Sequence, residues 1–440
     1  MIMKKYIPLL LLLGAAFFLL SSCKTGGNAG MSDRFQKGIT INNPDTLDAI
    51  LNRYVNDGFY PCLYARIENF DGKVLYEHSA VNKNLIPDIK IDGNTWFRIW
   101  SMSKIVTISV ALDLVEDGIL KLNDPVTKYI PEFKNLQVAV AEDGKLLSDF
   151  EWNNTNGACP FKLVPMDSIM TVLHLINHQS GFYYAMTSIP CLDSLVGSQN
   201  LSTSKNTDEY IKRLTRLPLI QQPGHTHFYG TNTTVLGFVA ERATGKSLKQ
   251  LVEARVTGPL NIQGLQYALP PDVRLLPRFS GKDTLIREAY PGELNIFGSE
   301  VVDYDPAHQL YQGGEGMLAT ADGYTDFLRM LLNRGTLNGH RFLEVATVED
   351  IHAPHTQLDN PYGHNGYNLW ISGDTMRISG AGEAGLWIGG GYEGTHFWVD
   401  PKRKFVAVLM TQMSLAQPAA YKKDDEFRGA IYKQFWKDEK

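Results

Sequence analysis

The chain has 440 residues, of which 44% are apolar and 20% charged, with a net charge of −5. That composition suits a globular protein with a large core and excludes a disordered chain. The mild charge, with no Lys/Arg block, leaves no electrostatic footprint for nucleic acid.

The first residues read as a targeting segment. Lys4 and Lys5 precede the apolar run "YIPLLLLLGAAFFLL" (6–20), which is short for a membrane span. The run closes on "LSSC" (20–23), a small-residue site ending in cysteine that resembles a bacterial lipobox. The reading is a signal peptide over 1–22, lipidation of Cys23, and a flexible Gly-rich tether over 23–40, ahead of one domain over 41–438. An ordinary signal peptide with an incidental Cys23 is the alternative. Either way the protein is expected to be exported, with the lipid holding it to the bacterial cell envelope, on the periplasmic side or at the outer membrane. Of the remaining cysteines, Cys62, Cys159 and Cys191, a Cys159–Cys191 bridge suits an oxidising compartment. No Cys/His spacing suggests zinc.

Two alternating segments, "CLYARIENF" and "KVLYEHSAV", flank Asp71 and Gly72 and predict a hairpin. In "FRIWSMSKIVTISVALDLVEDG" (97–118), Ser101 and Lys104 stand one helical turn apart, before a run of helical spacing that ends at Gly118. The middle reads as helices and loops. "MDSIMTVLHLINHQSG" is expected to start at Asp167 as N-cap, and "NTDEYIKRLTRLPL" opens with acidic residues. "TTVLGFVAERATG" closes at Gly245 and "TADGYTDFLRMLLNRG" at Gly335. Strands return in "GYNLWISGD", "AGLWIGGG", "THFWVDP" and "FVAVLMTQM", and the chain ends in a helix with Phe427, Ile431 and Phe435 on one face. Strands at both ends with helices between them predict one antiparallel sheet built from the two ends, flanked by terminal helices, and a helical lobe inserted in the middle.

Ser101 and Lys104 carry the chemistry. A serine hydroxyl is a weak nucleophile until a base takes its proton. Burial disfavours the charged form of a neighbouring lysine, and a helix N-terminus favours an oxyanion. Ser-x-x-Lys alone is a weak motif, and a second copy, Ser202 to Lys205, lies in a polar stretch read as a loop. The apolar setting of Ser101, between Trp100 and Ile105, argues against a plain N-cap serine.

The segment "FRIWSMSKIVT" resembles the first motif of the serine β-lactamase and penicillin-binding-protein superfamily, and its class C β-lactamase and esterase branch above all. "GILKLNDPVTKYIPEF", "HLINHQSGF", "PGHTHFYGTNTTVLG", "GGEGMLATADGYTDFLRMLLNRG" and "GGGYEGTHFWVDP" follow in the family's order. The resemblance implies a β-lactamase/transpeptidase-like α/β fold of the α+β type, with a mainly antiparallel sheet and an inserted helical lobe. It implies Ser101 as the acylated residue, Lys104 as its proton partner and Tyr229 as the assisting tyrosine. The oxyanion hole would use the backbone N–H groups of Ser101 and Tyr392. Thr231, Gly389, Gly390 and Gly391 would contact substrate. Whether Lys104 or Tyr229 is the main base stays open.

Two departures bear on substrate. The family's Tyr-x-Asn is here Tyr229-Gly230-Thr231, with Asn232 one residue late, and the spacing from Tyr229 to Gly237 resembles the esterase branch. Gly389 stands where β-lactamases carry the lysine of Lys-Thr-Gly; the literal Lys24-Thr25-Gly26 lies in the tether and is read as a decoy. Both losses argue against efficient β-lactam hydrolysis and leave acyl transfer intact. The expectation is therefore an exported carboxylesterase on small esters, needing no metal or organic cofactor. A D-stereospecific peptidase or weak β-lactamase on envelope-derived peptides is the alternative enzyme, and a degenerate lipid-anchored binding module the alternative of another class. His225 and His227, and His174 and His178, are read as structural and not as metal ligands. Trp96, Trp100, Tyr392 and Trp398 are candidates to line a pocket, with Trp96 and Trp398 equally suited to the core. No G-x-S-x-G or His-Glu-x-x-His occurs.

Overall fold

The computed structural model describes residues 39–438, apart from 150–160, 282–284, 294–303, 358–361 and 415–421. The targeting segment, Cys23, the Lys-Thr-Gly decoy and Cys159 lie outside the described residues. The two alternating segments form the predicted hairpin, β1 (Cys62–Asn69) and β2 (Val74–Val81), with Gly72 in the left-handed region at φ 87°. Six further strands come from the C-terminal part: β3 (Thr356–Gln357), β4 (Gly363–Asn365), β5 (Trp370–Ser372), β6 (Trp387–Gly390), β7 (His396–Asp400) and β8 (Phe405–Met410). Together they make an eight-stranded sheet in the order β3-β4-β5-β6-β7-β8-β1-β2. Every pairing is antiparallel. The two ends of the chain meet where Tyr64 to Asn69 of β1 pair with Met410 to Phe405 of β8.

Helix α1 (Pro44–Asn56) packs against the closing helix, here α5 (Lys423–Asp438). Arg53 and Tyr54 of α1 both reach Glu426 of α5, at 2.6 and 2.9 Å. Phe427 and Ile431 are fully buried on the inner face of α5, where Phe427 meets Trp398 and Tyr76. Three helices of the central region matter for the site: α2 (Ser103–Glu116), α3 (Asn232–Thr244) and α4 (Ala321–Leu332). Helix α2 packs against α3 in the central region, and α4 packs against β8 of the sheet. Helix α2 is buried nearly all round, from Ser103 to Leu112; its apolar sequence without a polar stripe is that of a core helix. Helix α3 ends at Gly245 in the left-handed region, as expected.

Two expectations for the middle of the chain need correction. The segment after Met166 forms a helix only over Val172–Ile176, and its N-cap is Thr171, not Asp167. Thr171 and His174 close a reciprocal capping box, which satisfies two amide donors at once, while the Asp167 N–H is held by Gln222. The middle also holds more than helices and loops. Short ladders pair Gln137–Ala141 with Phe161–Pro165, and Phe97–Arg98 with Leu318–Ala319. Such short pairings between residues far apart in sequence leave little local periodicity to read. Among the cysteines, Cys62 is free and buried, and burial pushes its thiol up to about 12. Cys191 is disulfide-bonded, with a partner outside the described residues.

Candidate active site

Ser101 sits in a single 3-10 turn, Trp100–Met102, that runs directly into α2. Trp100 has φ 46°, a left-handed conformation that a bulky side chain adopts only when its surroundings enforce it. The enforcement is visible: the indole is buried, packs edge-on against Tyr392 at 5.3 Å and carries the Arg278 guanidinium over its face. The turn therefore presents Ser101 at the start of the helix while Lys104 follows in its first turn.

Two groups converge on the Ser101 hydroxyl. Lys104 Nζ lies 3.0 Å from Ser101 Oγ and Tyr229 Oη lies 2.7 Å from it. Lys104 has no exposed surface and donates also to the carbonyl of Gly314 at 2.9 Å. Its Nζ lies over the Tyr229 ring at 4.8 Å and near the Tyr184 ring at 5.4 Å, so aromatic faces supply the rest of its surroundings. Tyr229 is 41% exposed and stacks on the buried His178 at 4.9 Å. Burial holds the His178 imidazole well below its ordinary range, so a neutral ring backs the tyrosine.

The turn 313–317 is pinned to α2 by side chains of that helix. Thr107 Oγ1 donates to the carbonyl of Gly313 at 2.7 Å, and Ser103 Oγ accepts from the N–H of Met317 at 3.1 Å. A Cβ on Gly314 would sit 3.4 Å from both Lys104 Nζ and Tyr184 Oη, so glycine lets the chain approach the lysine. Glu315 follows, fully buried, with Tyr184 Oη donating to one oxygen and Thr234 Oγ1 to the other at 2.6 Å.

The strand end 389–392 closes the other side. A Cβ on Gly391 would lie 2.5 Å from the carbonyl oxygen of Ile99, so only glycine allows this backbone to touch the Ser101 turn. Among the described residues, neither the Ser101 nor the Tyr392 N–H donates a hydrogen bond, which leaves both for a ligand oxygen. Gly390, Gly391 and Tyr392 line a cavity of about 500 Å³ together with Ser101, Tyr184 and Tyr229. Gly389 does not line it; Phe397 fills the space where a side chain at 389 would stand.

The other expected residues fall elsewhere. Thr231 is fully buried and absent from the cavity lining. Asn232 is turned into the core, where it accepts from Ser180 and donates to Phe182 O and toward His178 Nδ1, so it cannot read a ligand amide. His174 caps its own helix and His225 pairs with Asp149 at 3.1 Å. No cluster of metal ligands occurs among the described residues. Trp398 is core, and Trp96 packs beside Tyr304 and Leu318. Ser202 lies buried in a 3-10 turn, Leu201–Thr203.

Sequence reading missed Tyr184, Glu315, His396 and Lys423. Glu315 had a signal, a carboxylate set between glycines in "GGEGM". Lys423, Asp424 and His396 line the far part of the cavity. Lys423 is bonded to Asp424 at 2.6 Å and lies over the Tyr60 ring, so the cavity holds a cation that no motif announced.

His396 has its Nε2 at 2.9 Å from Arg428 Nη1 and its Nδ1 at 3.9 Å from Asp424. A guanidinium can only donate, so Nε2 accepts and the ring is neutral. Burial is the main cause that pushes this histidine from 6.5 to about 4, with Arg428 and Lys423 adding to it against Asp424. The unfolded chain then binds more protons than the folded one between these values, so stability falls as pH drops from 6.5 toward 4. The loss expected from this one group is about 3 kcal/mol. Urea unfolding across that window should show a shallower pH dependence in His396→Asn than in the natural chain. Equal slopes would contradict the assignment.

Comparisons with known proteins identify the family and the fold. The Beta-lactamase family model matches residues 69–428. Esterase EstB of Burkholderia gladioli is 26% identical over 358 residues, covering 77% of this chain and 83% of that protein. Acyltransferase mokF of Monascus pilosus is 27% identical over 271 residues, covering 62% of this chain and 59% of its own. The solved structure of EstCE1, a hydrolase with promiscuous acyltransferase activity, superposes with a TM-score of 0.71 at 19% identity, covering 91% of this chain and 99% of the other. The fold is the β-lactamase/transpeptidase-like fold. With a matching model over most of its length, the chain belongs to the Beta-lactamase family and is a serine hydrolase of the serine β-lactamase/penicillin-binding-protein superfamily.

Proposed function

We propose that the protein is an exported carboxylesterase that forms an acyl-enzyme on Ser101. The observation that carries this reading is the double engagement of Ser101 Oγ by Lys104 at 3.0 Å and Tyr229 at 2.7 Å. The Ser101 oxygen attacks the ester carbonyl carbon, and its proton passes to the Lys104–Tyr229 pair. The carbonyl oxygen becomes an oxyanion facing the free N–H groups of Ser101 and Tyr392. When the tetrahedral species collapses, the bond to the leaving oxygen breaks and that oxygen takes the proton from the pair. Water then attacks the acyl-enzyme by the reverse sequence and frees the acid and Ser101.

The cavity walls support an ester of modest size as substrate. Tyr60, Tyr184, Met186, Tyr392 and Met413 supply apolar and aromatic surface around Ser101. About 500 Å³ accommodates an ester of modest size. Phe397 occupies the place of the β-lactamase lysine, and Asn232 is engaged in the core; neither serves a β-lactam carboxylate or amide. The named esterase and acyltransferase relatives favour the same reading.

Short-chain p-nitrophenyl esters should be hydrolysed by the tether-free protein, and a chromogenic cephalosporin hardly at all. Ser101→Ala should lower kcat/KM by about 10³-fold or more, and Tyr229→Phe by about 10²-fold, with melting curves confirming that each variant is folded. Strong cephalosporin turnover, or ester turnover surviving in Ser101→Ala, would overturn the proposal.

The same proposal places the protein on a membrane through lipid on Cys23, on the periplasmic side of the bacterial envelope or at the outer membrane, with a small-molecule ester as its partner. The lipobox-like "LSSC" and the Gly-rich tether support this. The full chain expressed in a bacterium should incorporate labelled palmitate and sediment with membranes. Cys23→Ser should do neither; label in that variant would contradict the assignment.

A further inference from the structure

The hydroxyl of Ser101 has two potential proton acceptors, and the reading above leaves open which one takes its proton. Glu315 bears on that choice. It lies in the turn 313–317, next to the residue whose carbonyl accepts from Lys104 Nζ at 2.9 Å. Its side chain has no exposed surface. Thr234 Oγ1 accepts from the N–H of Gly314 at 3.0 Å and turns its own proton to Glu315 Oε2 at 2.6 Å. Tyr184 Oη donates to Oε1. With both oxygens placed as acceptors, the side chain has the hydrogen-bond pattern of an ionised carboxylate. Lys104 Nζ and Tyr184 Oη converge on one point, each 3.4 Å from where a Gly314 Cβ would stand. The negative charge and the lysine thus share one buried region.

The other groups facing this region do not cancel that charge. The phenols of Tyr184, Tyr210, Tyr267 and Tyr304 are all held above their ordinary range by burial and are neutral. His178 and His227, behind Tyr229, are kept neutral by burial as well. Beyond the Ser101 turn, the buried Glu393 is paired with Arg278, and at the cavity's far wall Asp424 is paired with Lys423.

Resting on the serine-hydrolase reading of this site, we infer that Glu315 is a positioning residue that holds the proton shared by Lys104 and Tyr229 on Lys104. Lys104 then acts as the ammonium that steadies the site, and the Tyr229 oxygen takes the Ser101 proton and returns it to the leaving oxygen. A carboxylate in a low-dielectric region favours the ammonium over the neutral amine and the pair's protonated state over its deprotonated one. It therefore sets how high the pH must rise before the pair can act as a base.

The test is the pH dependence of Ser101 labelling by a fluorophosphonate, which reads activation of the hydroxyl without knowledge of the natural ester. In Glu315→Gln the acid limb should move to lower pH by roughly one to two units, because removal of the charge eases deprotonation of the pair. Tyr184→Phe keeps the charge and removes only a hydrogen bond to it, so its limb should stay in place or move up. Melting curves confirm that each variant is folded. If Glu315→Gln folds and its limb coincides with that of the natural chain, or if Tyr184→Phe shifts downward to the same extent, the inference is overturned. A Glu315→Gln that cannot fold, beside a Tyr184→Phe whose limb falls, overturns it too. A natural chain that never labels would instead bring down the serine-hydrolase reading itself.

Discussion

A lysine amine with no exposed surface must find all its partners inside the protein, and the site is arranged around meeting that demand for Lys104. An unpaired buried cation costs several kcal/mol, and removing one partner of a buried pair leaves the other stranded. The partners come from four separate stretches of chain: Ser101 one helical turn before it, the Gly314 carbonyl from the turn after the central lobe, the ring of Tyr184 and the ring of Tyr229. Each of these must be delivered to the same point, which ties the packing of α2, α3 and the turn 313–317 to one amine.

The sheet supplies the remaining wall. Because β1 pairs with β8, the first and last parts of the chain form one surface, and β6 within it ends at Gly390. Gly391 then passes against Ile99 so closely that no side chain fits. The strained Trp100 is held by Tyr392, the residue that follows this contact. The Ser101 turn and the strand end thus lock each other, and the N–H groups of two residues that line the cavity are left without a partner among the described residues. Such fixed donors stabilise an oxyanion without rearrangement at the moment it forms.

The frame of this site was legible in the sequence because it is made of local signals. Alternation around Asp71 and Gly72 encodes the hairpin, the spacing of Phe427 and Ile431 encodes the buried face of α5, and Gly245 encodes a helix end. Ser101, Lys104 and Tyr229 were legible through motifs in chain order, and the structure brings their polar atoms together. What was not legible depends on long-range meeting. Thr231 sits two residues after Tyr229, yet the start of α3 turns it into the core. Asp167 lost its capping role to Thr171 because only Thr171 can close the reciprocal box with His174. Lys423 enters the cavity because α5 packs behind β7, and Glu315 matters because the turn that carries it is pinned to α2. No spacing rule in one chain reports such encounters.

The central claim is that an acyl group resides covalently on Ser101. It is tested most directly by mixing the protein with a p-nitrophenyl ester, quenching in acid within the turnover time, and mapping the digested chain by mass spectrometry. The account predicts that the peptide containing Ser101 gains the mass of the acyl group, and that the gain disappears when hydrolysis is allowed to finish. Turnover of the ester with no added mass on that peptide, or with the acyl group on another residue, would contradict it.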